Sequence, residues 1–288
     1  MRKTIIAATF AASAIAAPQL ASAQAAPAAD AKPASPYTFT GNLGLVTDYR
    51  FRGISQTFKQ PAIQGGFDFS HESGIYLGNW NSNVSEGAGF PSGNIEMDFY
   101  GGWKKSWGDW GLDVGLIYYY YPGTDASAAN GTTFTNPRDG KTHNGKIDNT
   151  EVYIGGSWKW ISLKYSRAIS DYFSLPSTDG SHYWDLSANY DMGDGWNILG
   201  HVGHLTLRNW DNGVDVNKGS YTDWKIGVTK DLSGWIVGAS YIDTNAKGSC
   251  NTANPGFYCF GNNLPGTSAT KFKNASDGTL VLSVSKSF

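Results

Sequence analysis

From Tyr37 to Phe288 apolar and polar side chains repeatedly exchange places at every second position, and past the first 23 residues no stretch is apolar for long enough to form a membrane-spanning helix. Period two is the signature of a strand that is wet on one face and greasy on the other. Strands are therefore the only route by which this chain could cross a bilayer. Four segments show the pattern clearly: Phe39 to Leu45, Ile95 to Lys104, Glu151 to Trp158 and Thr279 to Ser285. Further candidates lie near 61–70, 75–83, 111–121, 161–169, 182–191, 196–207, 221–230 and 235–243, with weak alternation in 75–83 and 196–207. Most approach the roughly nine to eleven residues that a tilted membrane strand requires.

The connections sharpen this reading. Short turns fall at His71–Gly74, Ser106–Trp110, around Trp160, at Met192–Gly195 and at Asp231–Gly234, and longer links at about 49–60, 84–93, 122–150, 170–181, 208–220 and 244–278 fall between them. An even-stranded meander with all its long loops at one end matches a bacterial outer-membrane barrel with its amino terminus in the periplasm. In hydrocarbon an open sheet edge leaves backbone groups unpaired, so the first strand, near 38–48, should close onto 279–288. The expected fold is all-β: a closed antiparallel up-and-down transmembrane β-barrel of about 12 strands, whose lumen is narrow and water-containing.

The amino terminus fits that destination. Arg2 and Lys3 precede an apolar stretch ending in Ala21-Ser22-Ala23, which reads as a secretory signal over 1–23. An Ala/Pro-rich leader, 24–36, then leads to the barrel, 37–288. The expected location is the bacterial outer membrane.

Composition excludes other classes. Charged residues make up 16% of the chain, against about 25% in ordinary soluble domains. The formal charge of -2 argues against nucleic acid as a partner. Cys250 and Cys259 lie in the longest loop on an oxidising side, so a disulfide between them is expected. His201 and His204, three apart on a strand, point to opposite faces and cannot chelate one metal. Gly140-Lys141-Thr142 mimics the end of a phosphate loop, but Thr135 stands at the required upstream glycine. Asn83, Asn130 and Asn274 match a glycosylation pattern that arises by chance in such a composition. No catalytic residue, metal or cofactor is expected, and the chain is not read as an enzyme.

Alternation assigns the interior. Asp48, Asp68, Glu96, Asp98, Asp113, Glu151, Asp185 and Asp223 should line it with Arg50, Arg52, Lys104, Lys164 and Lys225, because Arg or Lys facing lipid near the midplane costs about 2–4 kcal/mol. Arg50 and Arg52 are expected at the outer end of the first strand, pointing inward, as partners of Asp48 and neighbouring acids or as a constriction. Gly53 should give the turn after them its backbone freedom. Trp103, Trp107, Trp110, Trp158, Trp160, Trp196 and Trp235 flank the short turns as a membrane-interface girdle would. Phe288, a terminal aromatic on an alternating strand, resembles the signal read by the barrel-assembly machinery.

The segment Thr47-Asp48-Tyr49-Arg50-Phe51-Arg52-Gly53-Ile54-Ser55-Gln56-Thr57 is followed by Pro61-Ala62-Ile63-Gln64-Gly65-Gly66-Phe67-Asp68. With Trp80, Asn83 and Val84, Glu96 to Gly102 and Glu151 to Gly156, it resembles the TorF-type porin family of Proteobacteria. The resemblance covers most of the chain after residue 23 and implies an outer-membrane barrel of pore function, without catalytic residues; loops 122–150 and 244–278 match nothing in it. The expected function is passive diffusion of small hydrophilic solutes through a charged lumen, with at most mild cation preference. The alternative is a non-conducting structural or surface-interaction barrel acting through its long loops. Outer-membrane lipid, the assembly machinery and small polar solutes are the expected partners, and a monomer the expected state.

Overall fold

The computed structural model describes residues 35–128, 134–210, 219–251, 256–262 and 271–288. The expected signal segment 1–23, the leader up to residue 34 and the Asn130 sequence match lie outside the described residues. Twelve antiparallel strands close into one barrel. They are β1 (Tyr37–Val46), β2 (Ala62–His71), β3 (Ile75–Asn83), β4 (Ile95–Trp107), β5 (Trp110–Tyr120) and β6 (Asp148–Trp158). The second half comprises β7 (Ile161–Ala168), β8 (His182–Gly193), β9 (Trp196–Thr206), β10 (Tyr221–Leu232), β11 (Trp235–Thr244) and β12 (Thr279–Ser287).

Each strand pairs with its sequence neighbours, and β1 pairs with β12, Leu45 opposite Val284 and Asn42 opposite Ser287. Two further backbone bonds between Gly41 and Phe288, 2.7 and 2.9 Å, hold the last residue in the seam. Closure satisfies the edge groups that an open sheet would leave unpaired. All five short turns lie at one end and all six longer connections at the other.

The outward face is apolar. Phe39, Leu43, Leu77, Ile154, Leu186, Ile226 and Leu282 are exposed there while their sequence neighbours turn inward. A soluble protein would bury such side chains; a surface this apolar suits hydrocarbon. Trp103, Trp107, Trp110, Trp158, Trp160, Trp196 and Trp235 all stand at the short-turn end. Trp103 and Trp107 lie 6.2 Å apart, as do Trp110 and Trp158. A second aromatic band, absent from the sequence reading, stands toward the long-loop end on the outward face: Tyr118, Tyr120, Tyr165, Trp184, Trp224 and Tyr241.

Candidate functional site in the barrel interior

The register places the charged residues. Glu96 and Asp98 on β4, Glu151 on β6, Asp185 on β8 and Asp223 on β10 are each buried inside the barrel. Lys104 lies directly across from Asp113, Lys164 from Asp185 and Lys225 from His201. Asp68 stands opposite Thr40 and Gly78 on the same inward face.

Arg50 and Arg52 lie elsewhere than the alternation suggested. The β1 ladder ends at Val46, and the chain then turns into the barrel as a small hairpin, Arg50–Phe51 paired with Ile54–Ser55. The local parity persists through this segment, which is why it looked like the end of a strand. Gly53, at φ +80°, takes the left-handed turn that lets the hairpin reverse.

This segment is a plug for the long-loop half of the lumen. Arg52 donates to both oxygens of Glu151, at 3.0 and 2.7 Å, and to Tyr172 Oη at 3.1 Å, while its guanidinium lies 4.3 Å from the Tyr183 ring centroid. Burial alone opposes the charge on Arg52; the Glu151 carboxylate outweighs it and holds the group protonated. Tyr221 Oη donates to the Arg52 carbonyl at 2.8 Å. Arg50 donates to Asp48 at 2.7 Å and to the carbonyls of Gly53, Ala275 and Asp277 at 2.9, 3.1 and 3.0 Å. Tyr49 Oη reaches Glu96 at 3.2 Å.

Apolar packing completes the closure. One cluster joins Tyr49, Phe51, Trp80, Phe90, Tyr119 and Tyr121, and a second joins Ile54, Tyr172, Tyr183, Leu205, Tyr221 and Tyr258. Phe51 sits edge-on to Tyr119 and to Phe173, each at 5.5 Å. The narrow, water-containing lumen expected from strand number is thus filled in its long-loop half, because loop residues supply side chains that strand counting leaves out.

The short-turn half differs. Inward residues there, among them Asp68, Tyr100, Lys104 and Asp113, keep partial exposure. Tyr76, Tyr100 and Tyr153 stand directly opposite Gly102, Gly78 and Gly115. Each tyrosine takes space that a Cβ on the facing glycine would occupy. Tyr100 Oη donates to Asp68 at 2.6 Å, and Tyr76 Oη donates to Asp113 at 2.6 Å and contacts Tyr153 Oη. Lys104 lies 5.1 Å over the Tyr76 ring and Lys164 5.3 Å over the Tyr153 ring.

His201 links the two halves. Its Nδ1 lies 3.1 Å from Asp185 and its Nε2 2.8 Å from Asp223, which also accepts from Tyr183 Oη at 2.8 Å. The sequence separated His201 from His204 correctly but gave no hint of these partners, which come from two neighbouring strands. Ser187 Oγ is 3.1 Å from His201 Nδ1, yet it lies closer to Asp185, at 2.6 Å. A carboxylate thus faces each ring nitrogen, and the imidazole bridges Asp185 on β8 to Asp223 on β10.

The Cys250–Cys259 disulfide is formed. Outside the barrel, the loops border a cleft of about 700 Å³ lined by Arg138, Lys141, His143 and Asp171 among others. Among the described residues no group of three or more His, Cys, Asp or Glu is placed to hold a metal.

Fold and interior together define a closed barrel, apolar without and charged within. The chain belongs to the Gcw_chp family, whose model, described as a bacterial protein of unknown function, matches residues 30–288. No curated protein matches it. Among solved structures it is similar to the KdgM porin in complex with disordered oligogalacturonate, at 6% identity and TM-score 0.48, covering 87% of this chain and 99% of that one. An outer membrane channel from Pseudomonas putida F1 aligns at 10% identity and TM-score 0.41 over 90% of this chain and 100% of that one. A Pseudomonas aeruginosa FadL homologue aligns at 12% and 0.39 over 88% and 89% respectively.

Proposed function

We propose that this protein is an outer-membrane pore for small hydrophilic solutes, closed at rest by the 47–60 plug and opened when that segment shifts. The observation that carries the reading is the radial sorting of side chains: apolar residues outward, and charged residues inward, with Asp68, Lys104 and Asp113 around a partly exposed short-turn half. A barrel that only needed to be solid would gain from apolar side chains at those positions, since charges inside a protein are costly to desolvate. The TorF-type resemblance of the plug segment and its surroundings supports the same reading. In it, residues 1–23 direct export, the tryptophans anchor the periplasmic interface, Phe288 addresses the assembly machinery and passage requires no cofactor.

The test is current through the purified protein in planar lipid bilayers. Rare openings in the wild type and frequent ones in Arg52→Ala support the pore; silence from both proteins removes it. A second reading, a non-conducting barrel acting through its loops, draws on the packed long-loop half and the cleft bordered by Arg138, Lys141 and His143. Silent bilayers, together with ligand binding lost on shortening the 122–147 loop, would favour it.

A further inference from the structure

Past the second aromatic band the outward face of β7, β8 and β9 turns basic. The register sets Tyr165, Trp184 and His204 side by side across the three strands, and Arg167, His182 and Thr206 in the next row toward the long loops. Arg167 is two residues, or roughly 7 Å of strand, beyond Tyr165, which puts it at headgroup level when the aromatics mark the membrane interface. The face continues past the ladder: Gly180 N donates to the Ala168 carbonyl at 2.9 Å, and Arg208 N to Ser181 Oγ at 3.0 Å.

Two guanidinium groups meet there. The atoms nearest to the place where a Cβ on Gly180 would stand are Arg208 Nη1 and Arg167 Nη2, the latter 2.9 Å from it. Gly180 is buried, while both arginines are exposed. Among the described residues neither guanidinium has an acidic partner. Arg208 Nη1 donates to the main-chain carbonyl of Asp179 at 3.1 Å, and the Arg167 side chain makes no hydrogen bond. The exposed Asp179 carboxylate forms no ion pair with either. The outward positions of β7, β8 and β9 hold no carboxylate. On β6 the outward Asp148 accepts from Tyr118 Oη at 3.1 Å, and Asp243 stands on β11, two strands from β9.

Like charges crowded over one glycine repel each other, and a doubly charged oxyanion between them turns that repulsion into attraction. The planar fork of arginine matches phosphate in two-point hydrogen bonds. We propose that Arg167 and Arg208 bind the phosphate of a lipid in the outer leaflet, with its acyl chains lying along the same three strands. The placement favours a lipid over a dissolved anion: the pair faces away from the lumen, and Leu163, Trp184, Leu186 and Val202 are exposed on the wall beneath it. His182 joins charge to grease, its Nδ1 3.3 Å from the Gly180 carbonyl and its ring 5.6 Å from that of Tyr165.

The inference rests on the reading that the belt faces lipid with the long loops outward. Folded full-length protein in detergent is titrated with diphosphoryl lipid A and with the same lipid stripped of its phosphates, and bound lipid is counted by native mass spectrometry. The wild type should hold the phosphorylated lipid about ten-fold more tightly or better. Arg167→Gln with Arg208→Gln should erase that preference. Arg167→Gln alone, which breaks no hydrogen bond of the fold, should weaken it. Lys230→Gln with Lys286→Gln, outward lysines at the opposite rim, should preserve it. Equal binding of the two lipids by the wild type, a preference that survives both arginine changes, or an equal loss in the lysine variant would each overturn the site. Displacement of the lipid by equimolar inorganic phosphate would overturn it as well, by assigning the pair to a dissolved anion. Failure of the wild type to insert into phosphatidylcholine vesicles removes the membrane reading and this site with it, whereas insertion without a phosphate preference removes the site alone.

Discussion

Arg52 and Glu151, 99 positions apart in sequence, meet inside the barrel through two hydrogen bonds of 3.0 and 2.7 Å, each side chain only 2% exposed. The pair ties the plug to β6. Removing one partner of a buried pair strands the other, at a cost of about 3–5 kcal/mol. Arg52→Ala and Glu151→Gln should therefore each loosen the segment 47–60 and speed its cleavage by protease in the folded barrel. The double variant should lose less than the sum of the two single losses, because neither charge is then left alone. Equal, additive losses would show that the two side chains act separately.

Gly53 offers a test that leaves every charge in place. A Cβ there would meet Asp223 and Thr244 side chains, and φ +80° strains any residue that carries one. Gly53→Ala should displace the hairpin at a cost of about 1–3 kcal/mol. Hydrogen exchange at Phe51 to Ser55 should rise while exchange in β9 stays slow; unchanged protection of the hairpin would contradict the packing described.

Leu186 and Ser187 separate the two faces of one strand. Leu186 is exposed on the outward belt, while Ser187 faces inward to Asp185. Leu186→Arg should cost about 2–4 kcal/mol in a bilayer and lower the fraction of protein that folds into liposomes. Ser187→Ala should cost about 1 kcal/mol or less through its lost hydrogen bond. If the two changes prove equally mild, the belt does not meet hydrocarbon.

Cys250 and Cys259 close a loop with a sequence separation of 9 between β11 and β12. The chain-entropy estimate for so short a loop is about 2–3 kcal/mol, confined to the loop itself. Cys250→Ser should leave the barrel's gel shift on boiling unchanged while cleavage between residues 245 and 278 becomes faster. Collapse of the gel shift would mean that the disulfide supports the whole barrel.

Much of this was legible before any coordinates. Side-chain parity is a local property of extended backbone, so it assigned Glu96, Asp98, Glu151, Asp185 and Asp223 to one face from sequence alone, and they lie inside. Depth is not local. The band of Tyr118, Trp184 and Trp224 escaped notice because its level depends on strand tilt around the whole ring.

The sequence determined the strands, their number, their turns and which face of each is greasy, because these follow from the two-residue repeat of a pleated chain and from turn chemistry. Tertiary structure alone decided that residues 47–60 fold into the bore. Their anchors are Glu151, Tyr172, Tyr221 and Ala275, and the last of these lies 225 positions from Arg50, on segments that approach only once β1 has closed onto β12. A local pattern records which way a side chain points; it carries no record of what stands on the far side of a closed ring.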